Sequence, residues 1–562
     1  MQGQYRGDFT RDTFNPLKHF RRVLIQQGRV QLDADWNEQG AILLHYLQSL
    51  AADLIGQHGG QSDGAAFKID AFSGALNVAN DFQIGAGNYY VDGILCEVDS
   101  CPVQIRPANA AVTKTDTILI QNFPVDGPPF EKQQYVEVFD DVPDTPELVQ
   151  ISSVDATGKV KLSDQIDFAG FSNPKMRRVI TYKAQPDYLV PVGDKISTDP
   201  QNANKCLVYL DVWERHVTCS EDESIREVGL GGPDTATRAK VIWQVKTNSA
   251  IPKTQNAAPR VKDDDWRKYV TENLQPENRG LLKARVRPEA ASTDPCITSP
   301  KSQYRGAENQ LYRVEIQKSG AAWDGTVDQN TGEAKGNAGV AATFKWSREN
   351  GSVVFPISKS SSTAVTVENL GRDDRLGLKI GDFVEVVDDD YTLQGKADPL
   401  LQVVDIDRTA MAITLSGVPK VIIDQPPTRH PLLRRWDHQA GDSARGGLTL
   451  QDNAALIVKS TDGERWLNLE DGIQIQFQPE ATYRTGDYWL IPARVATGDV
   501  EWPKLRDAQG KLALDAQGQP RTIALPPHGV EHHYAPLAII TVQNDKVSAP
   551  QNLRRTFALK IT

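Results

Sequence analysis

The sequence predicts a mainly β protein of several sandwich-like or barrel-like modules with one helical segment near its N-terminus. Beyond residue 60, apolar and polar residues alternate with a period of two over many short runs, which is typical of half-buried strands. Gly, Pro, Asn and Asp separate these runs, as they do at turns. A helical period is confined to the first sixty residues, so we expect a single N-terminal helical element there.

The helical period lies in the stretch DADWNEQGAILLHYLQSLAADLIG. Asp35 and Glu38 have the spacing of a capping box, in which Asp35 accepts hydrogen bonds from first-turn amides and Glu38 reaches back to the start of the helix. Gly56 predicts the C-terminal stop. An apolar seam, spaced alternately by four and three residues, follows one face of the helix: Trp36, Gly40, Leu43, Leu47, Leu50 and Leu54.

Two interpretations of this seam stay open from the pattern alone. An amphipathic helix packed on its own domain buries the seam within the chain, and fewer than three heptads is short for a coiled coil. Self-association around an axis, or docking on another subunit, buries the same face between chains. The sequence does not separate the two.

The rest of the chain predicts β domains. Residues 82–98 read as a hairpin with its turn at Asp92-Gly93, and Asn350-Gly351 predicts a second hairpin. A length of 562 residues suggests several domains. We expect a helical attachment or oligomerisation segment over residues 1–60 and β-rich domains over 61–200, 201–310, 311–445 and 446–562, with the second hairpin in the fourth of these five regions.

Composition restricts the partners and the compartment. A net charge of -11 without a basic stripe argues against nucleic acid as a partner. No run approaches the roughly 18 apolar residues of a membrane span, and the N-terminal residues lack the apolar core of a signal peptide. We therefore expect cytoplasmic synthesis. The thinly scattered cysteines are expected to be reduced and mostly buried: Cys96, Cys101, Cys206, Cys219 and Cys296.

The sequence offers few catalytic signatures. There is no HExxH, GxxxxGK[ST] or GxGxxG motif. Residues His528, His532 and His533 are close in sequence, but flanking prolines disfavour the helix that would align two of them on a metal. Acidic clusters at 263–265, 388–390 and 324–330 fit solvated turns better than calcium loops. We expect no catalytic residue, cofactor or metal site.

Several sequence blocks resemble one protein family. The block GDFTRDTFNPLKHFRRVLIQQGRVQLDADWNEQ, together with FKWSRENGSVVFPI and GDYWLIPARVATGDVEWP, resembles signatures of an uncharacterised bacterial family encoded in gene clusters for phage-tail-like contractile injection systems. With further blocks at residues 207–246 and 526–538, the resemblance runs from about residue 7 to residue 540.

A second resemblance is to baseplate-attached tail-fibre proteins of contractile phages. It rests on residues of the first block, on the GNYYVDG stretch at 87–93, and on Glu221, Asp222 and Ile225. The first-block matches are Phe14, Pro16, Lys18, Val23, Leu24, Gly28, Arg29, Asn37, Glu38 and Gln39. The departure is Asp33-Ala34-Asp35-Trp36, which is more acidic than the phage pattern. In such fibres a short N-terminal helix pairs around a threefold axis or clamps onto a baseplate.

The resemblance implies a structural function. We expect a fibre, cage or extension protein near the baseplate of such a particle, released or membrane-associated, that forms a homo-oligomer, a trimer by analogy, and docks on baseplate or other particle proteins. Trp36, Leu43, Leu47, Leu50 and Leu54 would then be its assembly residues. One alternative is a recognition protein for glycans of a target cell surface or membrane. A polysaccharide-degrading tail enzyme is the other, but it needs two carboxylates in a groove and the sequence identifies no pair.

Overall fold

The fold of the chain is given by a computed structural model. It describes residues 3–61, 64–72, 78–99, 101–121, 130–141, 146–188, 190, 195–230, 234–252, 261–275, 279–287, 303–336, 339–421, 423, 428–459, 465–515 and 518–557. The predicted mainly β class is confirmed. Within the described part of the chain, no helix is both long and apolar enough to span a bilayer.

The described helices are α1 (Asp33–Ile55), α2 (Asp263–Asn273) and α3 (Asp389–Leu393). The strands before residue 300 are β1 (His58–Gln61), β2 (Ile69–Asp70), β3 (Gln83–Ile84), β4 (Gly87–Val91), β5 (Ile94–Val98), β6 (Val103–Pro107), β7 (Lys114–Ile120), β8 (Tyr135–Phe139), β9 (Glu147–Val154), β10 (Lys159–Asp167), β11 (Lys175–Thr181), β12 (Lys205–Val217), β13 (Arg238–Asn248) and β14 (Leu282–Val286). The later strands are β15 (Gln310–Lys318), β16 (Gly320–Ala321), β17 (Trp323–Val327), β18 (Ala334–Gly336), β19 (Gly339–Val340), β20 (Thr343–Ser347), β21 (Val354–Ser361), β22 (Ala364–Val367), β23 (Phe383–Val387), β24 (Leu401–Asp407), β25 (Ala412–Leu415), β26 (Leu432–Trp436), β27 (Leu450–Gln451), β28 (Ala454–Leu456), β29 (Leu467–Asn468), β30 (Ile473–Phe477), β31 (Thr482–Tyr483), β32 (Tyr488–Arg494), β33 (Asp499–Val500), β34 (His533–Gln543), β35 (Lys546–Asn552) and β36 (Thr556–Phe557).

The chain divides into two compact units, each assembled from three separated segments. Unit 1 comprises Met1–His45, Trp213–Lys240 and Pro276–Glu531. Unit 2 comprises Tyr46–Val212, Val241–Gln275 and His532–Thr562. This division differs from the five contiguous domains expected from the sequence. The physical reason is pairing between distant strands: in unit 2, Cys206 of β12 lies opposite Ile540 of β34.

Unit 1 is built around the six-stranded sheet β27-β28-β20-β15-β32-β33 and the three-stranded sheet β14-β30-β29. Every second side chain of β15 faces the core: Tyr312, Val314 and Ile316. These side chains pack with Trp489 and Ile475 in the largest apolar core of the unit. The period-two pattern of the sequence therefore corresponds to side chains that alternate between the two faces of a sheet.

Unit 2 contains the sheets β13-β12-β34-β35 and β36-β1-β4-β5. Their inward side chains share one core that includes Tyr89, Cys96, Val208 and Leu537. Cys96 and Cys206 are free and buried as expected, whereas Cys101 is exposed and Cys219 is half-buried. Cys296 lies outside the described residues.

Each unit also contains a closed barrel, and the two barrels have the same strand order. In unit 2, β11 pairs with both β6 and β8 and closes the ring β6-β7-β10-β9-β8-β11. In unit 1, the ring is β21-β22-β25-β24-β23-β26. Numbered within each barrel, both rings run 1-2-5-4-3-6 with antiparallel neighbours, and each has its own apolar core. The barrel-like modules expected from the sequence are confirmed.

The two predicted hairpins have different outcomes. Asp92 and Gly93 both have positive φ and join β4 to β5, with Val91 opposite Ile94, so this hairpin is confirmed. The hairpin at Asn350-Gly351 is wrong. Both residues have positive φ, but the flanking strands β20 and β21 enter the six-stranded sheet and the barrel respectively.

The side chain of Asn350 explains why its turn does not make a hairpin. It is buried, donates from Nδ2 to the carbonyl oxygen of Gly7 at 2.9 Å, and accepts from Nη1 of Arg313 at 3.3 Å. The N-terminal segment around Gly7 and the strand β15 therefore hold this turn through tertiary contacts. Turn propensity alone does not report such contacts.

The second face of β15 is polar but also buried. Arg313 and Glu315 are 0% and 2% exposed, and Glu315 lies directly opposite Lys345 of β20. Glu315 forms ion pairs with Arg6 at 2.9 Å, Arg313 at 2.6 Å and Lys345 at 3.3 Å. Burial alone raises the pKa of Glu315, but the three cations hold this pKa well below its ordinary value. The period-two alternation suggests that this second face of β15 is exposed to solvent. The structure instead places a buried network of ion pairs there.

Candidate assembly surface

The predicted N-terminal helix is present as α1. The carbonyl oxygen of Leu32 accepts from the N–H groups of Asp35 and Trp36, at 3.2 and 3.4 Å. The helix ends where Gly56, with φ of 95°, donates to the carbonyl oxygen of Ala52 at 2.8 Å. A positive φ is easiest for glycine, so the predicted stop at Gly56 is confirmed.

The predicted capping box is wrong. The helix begins at Asp33, so Asp35 lies inside the first turn instead of at the N-cap. Glu38 does not reach back to the helix start, because its Oε2 accepts from the hydroxyl of Thr13 at 2.7 Å. Asp33 accepts from the backbone N–H of Thr10 at 2.8 Å. The preceding chain therefore engages Asp33 and Glu38, and neither forms the predicted local cap.

The apolar seam of α1 is exposed in the single chain. The buried residues of the helix are Ala34 and Ile42, on the face away from the seam. The exposed fractions are 62% for Trp36, 53% for Leu43, 62% for Leu47, 56% for Leu50 and 78% for Leu54. All five residues lie on one helix, so the helical geometry alone places their side chains in one stripe. Exposed apolar patches of this kind mark interaction sites.

The chain before α1 adds a second exposed apolar stretch, here called the strap (residues 17–32). A short 3-10 helix, Pro16–Lys18, leads into it, and the strap itself has no strand pairing. Its exposed apolar residues are Leu17 (82%), Phe20 (54%), Leu24 (68%), Ile25 (49%), Val30 (85%) and Leu32 (41%). The backbone N–H of Val23 donates to Oε1 of Gln39 at 2.8 Å, so the strap contacts the first half of α1.

Charge is divided between the strap and α1. The strap contains Lys18, Arg21, Arg22 and Arg29 and no acidic residue. The helix contains Asp33, Asp35, Glu38 and Asp53 and no Lys or Arg. The two consecutive segments therefore present apolar surfaces with opposite charge.

The GNYYVDG stretch has a structural position within unit 2. Tyr89 is fully buried, and its hydroxyl lies 3.1 Å from Nδ1 of His58. A Cβ at Gly93 would lie 2.1 Å from the carbonyl oxygen of Gln48, so only glycine fits where the β4–β5 turn meets α1. This part of the fibre-like pattern therefore packs against the helix.

The third part of the fibre-like pattern lies in unit 1. There Glu221 accepts from the N–H of Thr218, so its side chain stabilises a local turn.

The buried imidazole of His58 predicts acid sensitivity in unit 2. Burial, then the charge of Arg555, lowers the pKa of His58 to about 3. The folded state keeps this imidazole neutral while the unfolded state protonates near pH 6.5, so stability is complete above that pH and falls below it. Between pH 7 and pH 5 we expect unit 2 to lose about 2 kcal/mol of unfolding free energy through this group.

Urea unfolding of wild type and His58→Gln, monitored on unit 2 by hydrogen exchange at pH 7, 6 and 5, checks this expectation. The variant is less stable at every pH but should have the smaller pH slope. Equal slopes in the two proteins would contradict the assignment.

The clustered histidines have separate partners. His528 is half-buried and stacks on Tyr488, and desolvation lowers the pKa of its imidazole to about 4. Nδ1 of His532 lies 2.6 Å from Oδ1 of Asp211, and Nδ1 of His533 lies 2.9 Å from Oδ2 of Asp92. Among the described residues, no three His, Cys, Asp or Glu side chains are arranged to hold a metal ion.

The acidic clusters have structural partners. Residues 263–265 form the first turn of α2, where carboxylates favour the helix dipole. Asp388 caps α3 through the N–H of Tyr391 at 2.9 Å, and Asp389 pairs with Arg215 at 2.6 Å. The third cluster caps turns, as when Asp328 accepts from the N–H of Asn330 at 2.8 Å.

Unit 1 also contains a cavity that the sequence did not indicate. Its volume is about 670 Å³ and its wall includes Glu308, Glu349, Asp373 and Arg375. Arg375 contacts Glu308 and, at 3.3 Å, Glu349. Burial, then Asp437, raises the pKa of Glu349 to about 7. These residues are distant in sequence, so no local motif could have identified them.

The ion pairs in the wall of this cavity explain why the cavity is not proposed as the functional site. Glu349 is already paired with Arg375 and with Arg435, the latter at 3.4 Å, so its carboxylate has a structural role. Five tryptophans in or beside strands give no exposed platform for a sugar ring either: Trp213, Trp243, Trp346 and Trp489 are buried and Trp466 is half-buried under Arg285.

Comparison with known protein families gives a match over most of the chain. The sequence profile matches residues 5–115, 179–263 and 276–548. The unmatched residues 116–178 hold most of the barrel in unit 2, and residues 264–275 hold most of α2. A search of curated proteins gives no match. Because the profile covers most of its length, the chain belongs to DUF6519, a family of unknown function.

Proposed function

We propose that the protein is a structural subunit of a phage-tail-like contractile injection particle, and that it self-associates and docks through α1. The observation that carries the proposal is the exposed seam of Trp36, Leu43, Leu47, Leu50 and Leu54, each more than half exposed. Burying a leucine side chain that is otherwise exposed contributes about 1.5–3 kcal/mol. A chain that presents several in one stripe gains stability when another surface covers them.

The type of particle is proposed from the sequence resemblance. The block over residues 7–39, which resembles the injection-system family, contains the strap and the start of the seam. A fibre, cage or extension near the baseplate fits an assembly helix followed by β modules, because tethering several copies makes weak contacts avid. The β barrels and sheets then serve as rigid supports for loops at the particle surface.

The mass of the purified full-length protein tests self-association. We expect size-exclusion chromatography with light scattering at micromolar concentration to give a multiple of 62.0 kDa, with three copies as the expected number. Dilution should reduce the mass toward one chain, as for a reversible assembly. A mass of 62.0 kDa throughout the micromolar range would overturn the proposal.

A further inference from the structure

The charge on α1 disfavours a bundle of copies of this helix alone. Asp33, Asp35, Glu38 and Asp53 are its only charged residues. Helical spacing places Asp33, Asp35 and Asp53 within about 100° of the seam, so contact between copies of the helix would bring these like charges together. Glu38 lies on the opposite face, where it accepts from Thr13. Coiled coils normally balance such charges with Lys or Arg at flanking positions. A partner for the seam should therefore be apolar and basic.

The strap has the required chemistry. Lys18, Arg21, Arg22 and Arg29 are interspersed with six exposed apolar residues. Among the described residues, no ion pair within 4.0 Å joins these cations to an acid of α1, and Lys18 lies over the ring of Phe20 at 5.7 Å. The opposite charges are thus unmatched within one chain.

The strap's own contacts leave most of the seam uncovered. The strap and the chain before it contact residues in the first half of the helix. Thr13 donates to Glu38 and Val23 donates to Gln39. The rings of Phe14 and His45 have centroids 5.7 Å apart. Leu47, Leu50 and Leu54 lie beyond these contacts and remain exposed.

We propose that the basic strap of one copy lies along the leucine seam of a second copy. This deepens the proposed function by naming the partner, and it rests on that function. The contact joins two different surfaces, so it is heterologous and repeats from copy to copy until a ring closes. Apolar burial supplies its stability, while the opposite charges select the strap over a second helix.

Charge reversal on each side tests the contact. Arg21→Glu with Arg22→Glu takes the strap from four positive charges to no net charge, and Asp35→Lys with Asp53→Lys takes the helix from four negative charges to no net charge. Either variant should self-associate at least about tenfold more weakly than the wild type, because the contact then loses its net charge attraction. A control, Arg267→Glu with Arg445→Glu, changes arginines with 64% and 88% exposed side chains elsewhere and should associate like the wild type.

Two restoring experiments test whether the strap and the seam meet each other, and whether they belong to different chains. A chain carrying all four substitutions has the charges exchanged at the substituted positions, so at low salt it should assemble more tightly than either charge variant alone. Mixing the strap variant with the helix variant should yield complexes that neither forms alone, because each supplies the surface that the other has lost. Circular dichroism confirms that each variant is folded.

The outcomes distinguish this inference from the proposed function. If both charge variants assemble like wild type, or if the exchanged variant stays dissociated although folded, the strap contact is wrong. If the wild type is itself a monomer, the proposed function fails and the strap contact with it. If substitution of the seam leucines dissociates the protein while charge reversal does not, self-association stands and only the strap is excluded.

Discussion

Leu47→Asp combined with Leu50→Asp is expected to dissociate the protein into single chains while leaving both units folded. The two leucines are 62% and 56% exposed in one chain, so the substitution removes few contacts within the chain. In an assembly it removes two apolar side chains and places two carboxylates against an apolar surface. The combined loss is at least about 4 kcal/mol, or roughly a thousandfold in dissociation constant.

A matched control uses exposed leucines away from α1. Leu230 and Leu514 are 67% and 53% exposed, so Leu230→Asp with Leu514→Asp adds the same charge at similar exposure. Light scattering at several concentrations should give wild-type mass for the control and 62.0 kDa for the seam variant. If both variants keep the wild-type mass, the leucine seam does not hold copies together. If both dissociate, added negative charge alone is the cause.

The sequence predicted the strands, turns and helix ends that depend on residues adjacent in the chain. The period-two alternation identified strands because sheets here bury side chains alternately, as Tyr312, Val314 and Ile316 do. The Asp92-Gly93 turn and the Gly56 helix stop follow from backbone conformations that few residues adopt. The seam of α1 follows from helical spacing. Its exposure, which gives the seam its functional meaning, depends on where the rest of the chain lies.

Tertiary contacts decided the features that the sequence missed. The Asn350-Gly351 turn joins two different sheets because the buried Asn350 side chain bonds Gly7 and Arg313. Thr13 draws Glu38 away from the predicted cap. The two units combine segments hundreds of residues apart, which spacing alone does not reveal. The missed cavity around Glu349 has the same cause, since its wall comes from separate segments.

Glu315→Gln is expected to be the most destabilising single substitution on the polar face of β15. Glu315 is 2% exposed and is the shared partner of Arg6, Arg313 and Lys345. The amide keeps the shape of the side chain but removes its charge, leaving one fewer carboxylate among buried cations. Removing one partner of a buried ion pair costs about 3–5 kcal/mol, so unit 1 should unfold at clearly lower urea concentration.

The neighbouring carboxylate shows why the loss is not compensated locally. Glu385 pairs with Lys345 at 2.8 Å and accepts from Nε1 of Trp436 at 3.3 Å. Its charge also acts on Arg6, but this attraction is already present in the wild type and replaces no contact that Arg6 and Arg313 lose. Glu501→Gln is the control, because Glu501 pairs with Arg11 and Arg494 but is 38% exposed, and exposed pairs contribute about 0–1 kcal/mol. Urea unfolding monitored by tryptophan fluorescence compares the variants. Equal shifts for Glu315→Gln and Glu501→Gln would show that the buried cations do not require this carboxylate.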